Sequence, residues 1–326
     1  MYPTGSEVQE EIIPEFQLGP SKSLLLSAKS IRFSLLASSI YLVLSYILIG
    51  FKTEQVVLLM LFNTFYFASK TTRKFILGFS IFIIYWIIFD YMKAFPNYHF
   101  NAVHIQSLYN NEKNLFGLRI NDLILTPNEY FANHHNTILD ILSGLFYLCW
   151  VPVPLIFAGF MFFKNKKLFL QFSLSFFLVN MIGFVGYYLY PAAPPWYVAQ
   201  KGFQFIASTP GNTAGLGRFD ALLGTHIFAG IYSKSSNVFA AMPSLHASYM
   251  LIVLYYGIKA RMRWVNLVFA LIMLGIWFSA IYTGHHYILD VLAGIASAIL
   301  GIGLFQWFIR TTTGQKLMKS LLKPIS

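Results

Sequence analysis

Two histidines and an aspartate, residues that do chemistry, stand close together in YTGHHYILD (282–290), and a third histidine lies in MPSLHA (242–247). His286 and Asp290 are four residues apart, the spacing that places two side chains on one face of a helix. A carboxylate bonded to one ring nitrogen fixes the imidazole tautomer and leaves the other nitrogen a better nucleophile or base. His246 can supply a second imidazole from another helix. One histidine to attack and one to carry a proton is a two-group device for displacement at phosphorus. The rival chemistry is zinc ligation by His246, His285, His286 and Asp290. No second carboxylate or thiolate lies nearby in the sequence, and the hydroxyl, proline and backbone amides of PSLH suit an anion better. The reading is therefore of a site without metal or other cofactor.

The elements that must hold these groups are set by composition. Of 326 residues, 57% are hydrophobic, 18% aromatic and only 11% charged, and mean hydropathy is +0.61. Such a chain is too apolar for a soluble globule and belongs in a membrane. It contains repeated uncharged stretches near the length that crosses about 30 Å of hydrocarbon. These predict an all-α, polytopic helix bundle of about eight spans, near 31–51, 54–69, 75–92, 137–163, 168–190, 240–260, 264–283 and 286–309. The first 30 residues, with Glu7, Glu10, Glu11 and Glu15 and three prolines, read as a polar tail rather than a signal peptide. Residues 31–92 form the N-terminal spans, 93–310 the catalytic core, and 311–326 a basic tail. The single Cys149 allows no internal disulfide.

Basic residues orient the bundle. With a cytosolic N-terminus, 16 of the 23 Lys and Arg residues fall on one side, in clusters such as Lys164, Lys166, Lys167 and Lys259, Arg261, Arg263. That asymmetry is what the positive-inside rule describes, and it accounts for the net charge of +11 through lipid headgroups. No basic stripe is interleaved with exposed aromatics, so a nucleic-acid partner is discounted. Both termini are then cytosolic, and the two long loops, 93–136 and 191–239, lie on the opposite face.

All the unusual chemistry collects at that opposite face. YPAAPPWY (190–197) ends the fifth span, MPSLHA opens the sixth, and YTGHHYILD opens the eighth. Each alone has a plain explanation, as a span end, an interfacial aromatic or a hydrogen-bonded histidine. A carboxylate one turn into a span is harder to dismiss, since ionised Asp at the membrane centre costs about 2.5–3.5 kcal/mol and marks function by default.

PSLH, followed forty residues later by HHYILD, resembles the second and third signatures of the type 2 phosphatidic acid phosphatase superfamily. Two departures stand out: Ser279 is followed by Ala280 where that superfamily has arginine, and no Arg-Pro dipeptide occurs anywhere. Both missing groups would bind phosphate in a phosphomonoesterase. YPAAPPWY, AGLGRFDALLG (214–224), SNVFAAMPSLHAS (236–248) and IYTGHHYILDVLAG (281–294) are together similar to the catalytic subunit of fungal inositol phosphorylceramide synthase. SLYNNEKNLFG (107–117) and ILDIL (138–142) fall in the same order as in that family. The resemblance covers roughly residues 100–300. The long polar C-terminal tail of the fungal enzymes has no counterpart here, which suggests a bacterial relative.

The resemblance implies His286 as nucleophile, Asp290 as its orienter and His246 as acid and base. It implies transfer of phosphoinositol from phosphatidylinositol to the primary hydroxyl of ceramide, through a histidine-bound intermediate, with release of diacylglycerol. The partners are thus two lipid substrates and the bilayer; the need for an accessory subunit stays open. Arg218 is the leading phosphate ligand, because a guanidinium binds phosphate oxygens bidentately, and Asp220 either positions it or bonds inositol hydroxyls. Ser244, Asp140, Asn180 and Lys201 are further lining candidates, with Asn180 equally readable as a helix–helix hydrogen bond. His285 points about 100° from His286 on a helix and either bonds the loop or touches the headgroup. Tyr282 and Trp196 are expected to anchor at the interface and shape the entrance. Two other functions are open: a lipid phosphate or diphosphate phosphatase on the outer face, and a proton-relaying transporter, which calls for broken helices in paired halves. The expected location is a bacterial inner membrane, or the Golgi in a eukaryote.

Overall fold

A computed structural model describes residues 25–234 and 237–326. The acidic segment of the N-terminal tail lies outside the described residues. The chain divides into two compact units, one up to Arg73 and one from Lys74 onward.

In the first unit, α1 (Ala28–Ile49) and α2 (Thr53–Ala68) form a helical hairpin. Both are apolar around most of their circumference, and their contact carries a polar seam. Asn63 accepts from the Ser34 hydroxyl and donates to Ser38 at 3.2 Å. In an apolar solvent such hydrogen bonds join helices that have no hydrophobic reason to associate. The next helix, α3 (Lys70–Tyr91), begins in this unit, where Arg73 lies over the Tyr66 ring at 4.3 Å.

The second unit contains the remaining helices. Its long elements are the rest of α3, α6 (Thr137–Leu148), α7 (Pro152–Lys164), α8 (Lys166–Leu189), α12 (Leu245–Lys259), α13 (Trp264–Tyr282) and α14 (Ile288–Phe308). Between α3 and α6 lie α4 (Gln106–Phe116), a hairpin of β1 (Leu118–Ile120) and β2 (Leu123–Leu125), and α5 (Pro127–Asn133). Between α8 and α12 lie α9 (Pro195–Lys201), α10 (Gly217–Leu223) and α11 (Ile227–Tyr232); α15 (Thr312–Leu322) ends the fold. The strands pair antiparallel, Leu118 opposite Leu125, around a turn in which Asn121 and Asp122 take positive φ, as a two-residue hairpin turn requires.

Among the described residues, six segments are long and apolar enough to cross a membrane: Ala28–Ile49, Lys70–Ala94, Thr137–Lys164, Lys166–Leu189, Trp264–Tyr282 and Ile288–Phe308. The expected spans at 54–69 and 240–260 correspond to α2, of 16 residues, and α12, of 15 residues. Both are shorter than the roughly 20 residues of a full crossing. The α12 helix is short because its expected start is taken up by the non-helical run 240–244, which delivers His246. The expected single span over 137–163 is interrupted at Cys149–Val151, where Pro152 starts α7; proline lacks the amide that would continue the helix before it.

The core is aromatic and continuous. Phe157, Phe172, Phe176, Tyr249 and Tyr256 pack from α7, α8 and α12. At Gly294 of α14 a Cβ would lie 2.1 Å from the Ser244 carbonyl oxygen. Only glycine permits that approach, and through it the start of α12 meets the start of α14. The two long loops are knit together by backbone bonds: His104 donates to Pro191 at 2.7 Å and accepts the Ala193 amide at 3.1 Å.

Candidate active site

His286 does not sit on a helix. The α13 helix ends at Tyr282, Gly284 takes φ +76°, and the amides of His285 and His286 both donate to the Ala280 carbonyl, at 3.1 and 3.0 Å. Tyr287 is extended and caps α14, whose third residue is Asp290. The expectation that His286 and Asp290 share a helical face is thus corrected. The four-residue spacing works through a helix start, in which Asp290 reaches back. Its Oδ2 accepts the Tyr287 amide at 2.8 Å and lies 3.5 Å from His286 Nδ1. Asp290 is wholly buried and His286 is 6% exposed, so the carboxylate acts on the imidazole without competition from water.

The other ring nitrogen of His286 faces His246: Nε2 lies 3.2 Å from His246 Nδ1. His246 occupies the first turn of α12, against the indole of Trp150 at 4.4 Å and the ring of Tyr147 at 5.1 Å. The bond that sets this register is backbone to backbone, Ser244 amide to Asp290 carbonyl at 2.9 Å. Asp290, His286 and His246 therefore form one chain of contacts across two helices.

The phosphate candidates divide. Arg218 Nε donates to Asp140 Oδ1 at 2.6 Å, Tyr282 donates to the same oxygen at 2.9 Å, and the guanidinium lies 5.3 Å from the Tyr282 ring centre. Arg218 Nη2 is buried with no hydrogen-bond partner. It is next to the turn that carries His285 and His286, because a Cβ on Gly215 would touch Thr283 Cα at 2.8 Å and Arg218 Nη2 at 2.9 Å. The Ser244 hydroxyl is likewise buried and unpartnered. Two orphaned donors beside the histidines are the groups that a phosphate's non-bridging oxygens would satisfy.

Other expected site residues stand elsewhere. Asp220 does not position Arg218. Its carboxylate accepts the amides of Phe228 at 3.2 Å and Ala229 at 2.9 Å and the Thr225 hydroxyl at 3.2 Å, so it ties α10 to α11. Asn180 is part of the core: it donates to Phe176 and accepts from the Tyr249 hydroxyl at 2.6 Å, the helix–helix role. Lys201 is exposed at the end of α9. Tyr282 and Trp196 are both buried rather than interfacial. The Trp196 amide donates to the Gly284 carbonyl at 3.0 Å, holding the second loop on the turn that carries His286. His285 bonds the Thr213 carbonyl through Nε2 at 2.9 Å and stacks on Tyr232. Burial first, and the neighbouring His286 second, push its pKa down to about 3, so it is a neutral structural link.

Several residues have no counterpart among those expected. Asn128 Nδ2 donates to the carbonyls of Ile281 at 2.8 Å and His286 at 2.9 Å. Glu112 accepts the amides of Ile288 at 2.9 Å and Leu289 at 3.1 Å. Trp150 and Tyr147 wall His246. Their partners are 96 to 177 residues away, and no local spacing signals them. Ala280, where an arginine was absent, is fully buried in an apolar cluster with Tyr147, Leu216, Phe219 and Phe228. Among the described residues, no group of three or more His, Cys, Asp or Glu side chains is arranged to hold a metal ion.

The model of the PAP2 superfamily matches residues 106–304, which include the whole of this constellation. The phosphoinositol dihydroceramide synthase of Bacteroides thetaiotaomicron is 47% identical over 278 residues, covering 85% of this chain and 91% of that protein. The inositol phosphorylceramide synthase of Candida albicans is 31% identical over 55% of this chain and 39% of its own length. The catalytic subunit of the Saccharomyces cerevisiae inositol phosphorylceramide synthase is 28% identical over 69% of this chain and 54% of its own length. No solved structure matches. The paired histidines, the buried carboxylate and these likenesses converge: the chain is a membrane phosphotransferase of the PAP2 superfamily and belongs to its inositol phosphorylceramide synthase family of sphingolipid synthases.

Proposed function

We propose that the protein transfers phosphoinositol from phosphatidylinositol to the primary hydroxyl of a ceramide, through a phosphohistidine on His286. The observation that carries the reading is the His246 Nδ1 to His286 Nε2 approach of 3.2 Å, with Asp290 on the far side of His286. With Nδ1–H directed at Asp290, His286 presents a lone pair on Nε2. That nitrogen attacks phosphorus as the bond to the diacylglycerol oxygen breaks, and His246 gives its proton to the departing oxygen. The phosphoinositol is then bonded to His286. His246 next takes the proton of the acceptor hydroxyl, whose oxygen attacks phosphorus as the P–N bond breaks, and both histidines return to their starting forms. Arg218 Nη2 and the Ser244 hydroxyl hold the non-bridging oxygens, where charge concentrates in both transition states.

In the structure the two histidines touch, so the phosphate must part them to reach Nε2. The name of the Bacteroides relative makes dihydroceramide an acceptor to be tested beside ceramide. Both substrates are lipids, which agrees with a reactive pair at the end of membrane helices. The distribution of basic residues supports cytosolic termini and a site on the opposite face. The reading is tested by incubating the purified protein in detergent with labelled phosphatidylinositol, with and without ceramide. Label in a ceramide-dependent lipid supports it, and free inositol phosphate formed at the same rate with or without acceptor overturns it.

A further inference from the structure

We infer that the first long loop is a holder for the nucleophile, and that its residues Glu112 and Asn128 are positioning residues that aim His286. The inference rests on the assignment of His286 as nucleophile. Glu112 is on α4 and is 0% exposed. Among the described residues no lysine, arginine or histidine pairs with it within 4 Å. Its partners are instead the Ile288 and Leu289 amides, at 2.9 and 3.1 Å. Asp290 takes the Tyr287 amide. Three successive amides at the start of α14 are thus consumed by two carboxylates of the protein itself.

This arrangement has a chemical consequence. The N-terminus of a helix of this length is ordinarily a place for an anion, with free amides and a favourable dipole. Here that place is filled 176 residues away in sequence by Glu112, so the substrate phosphate is left to Arg218 and Ser244. What Glu112 achieves is to fix the start of α14, on which the reach of Asp290 to His286 depends. Asn128, from α5, fixes the other side: one amide group bridges the carbonyls that bound the catalytic turn, Ile281 and His286. The α5 helix is itself held by reciprocal bonds between Thr126 and Glu129. His286 therefore lies between two clamps, one before it and one after, neither of which touches its imidazole.

Glu112 faces Asp290 and Tyr287 of α14, with Tyr109, Lys113 and Glu129 beside Tyr287 and α4. Burial raises its pKa above the ordinary carboxylate range, the two amide bonds oppose that rise, and the negative charge of Asp290 adds to it. The carboxylate form, which grips the amides, is accordingly lost at a higher pH than for an exposed glutamate.

The test compares wild type with Glu112→Gln, Asn128→Ala and His286→Ala in detergent, measuring kcat, KM for both lipids, the pH profile and the thermal midpoint. Displacement of a reacting nitrogen by about an ångström lowers turnover about 100-fold. The expected result is a kcat lowered about 10- to 100-fold in Glu112→Gln and in Asn128→Ala, with KM values within about twofold of wild type. The wild-type to Glu112→Gln ratio of kcat is expected to fall towards one as pH is lowered, because the wild type then protonates Glu112 itself. A folded Glu112→Gln with wild-type kcat, or with raised KM and unchanged kcat, overturns the inference while an inactive His286→Ala keeps the nucleophile assignment. Should Glu112→Gln not fold, Asn128→Ala decides by the same criteria. Turnover by His286→Ala overturns the nucleophile assignment instead.

Discussion

Arg218 Nε is 2.6 Å from the carboxylate of Asp140, 78 residues earlier in the chain, and this one bond leaves Arg218 Nη2 without a hydrogen-bond partner beside the turn that carries His286. Asp140 is thus placed to orient the Arg218 guanidinium rather than to meet a phosphate itself. A carboxylate facing a phosphate would repel it; a carboxylate behind a guanidinium orients it.

Arg218→Ala is expected to lower kcat/KM about 10- to 100-fold, the equivalent of one charge-assisted hydrogen bond at about 1.5–3 kcal/mol. Arg218→Lys should recover little, since the donors of an ammonium all radiate from one nitrogen and cannot occupy the separate Nε and Nη2 positions of the guanidinium. Asp140→Asn should give a smaller loss in the same direction. Steady-state kinetics on the three variants checks the order.

Ser244→Ala separates function from stability. The hydroxyl is buried and has no partner, and an unpaired buried polar group costs about 1–3 kcal/mol. Its removal is therefore expected to leave the thermal midpoint unchanged or higher while lowering turnover. A variant that is both less stable and fully active would contradict the assignment.

Gly294→Ala tests the geometry that joins the two signatures. A Cβ at this position meets the Ser244 carbonyl at 2.1 Å and the Ala247 side chain at 3.3 Å. Backbone cannot yield as a flexible side chain does, so the expected result is a loss of at least about 1–3 kcal/mol of stability, together with loss of activity. Gly303, with open space around its Cβ position, is the control: Gly303→Ala should leave both intact.

His285 makes a pH prediction. Its pKa in the folded protein is lowered to about 3 from an ordinary 6.5, so below about pH 6.5 the unfolded chain binds a proton that the folded chain refuses. This residue's effect on stability is absent above pH 6.5 and becomes unfavourable as pH falls from there towards 3. His285→Gln, which keeps a donor for the Thr213 carbonyl, is expected to show a shallower loss of stability over that window. Its pH profile of kcat near neutrality should match that of the wild type.

How far the sequence anticipates these findings depends on the distance over which each relationship acts. The membrane helices follow from composition within single segments, and the His286–Asp290 pair follows from a four-residue spacing. The spacing holds for a different reason from the one expected: Gly284 and Tyr287 place His286 before the helix, and Asp290 reaches it as a capping residue. Arg218 was identifiable by its charge, but its partner was not. Asp220 is two residues away and invites pairing, yet it serves the amides of α11, and the true partner Asp140 comes from another helix. Glu112 and Asn128 were invisible because what they grip is backbone, which has no residue type to match. The short α12 was hidden for a related reason: residues 240–244 are apolar enough to extend a span but are tied to Ala192 and Asp290 by backbone bonds outside any helix.

The central claim is that His286 carries the phosphoinositol between the two lipids. Purified protein is mixed with phosphatidylinositol labelled at phosphorus, without acceptor, quenched in denaturant at alkaline pH, digested and mapped. The account predicts label on the peptide containing His286, stable to base and labile to acid as a phosphoramidate is, absent from His286→Ala, and discharged into lipid when ceramide is added before the quench. Ceramide-dependent turnover with no label on that peptide, or with label that persists after ceramide is added, would contradict it.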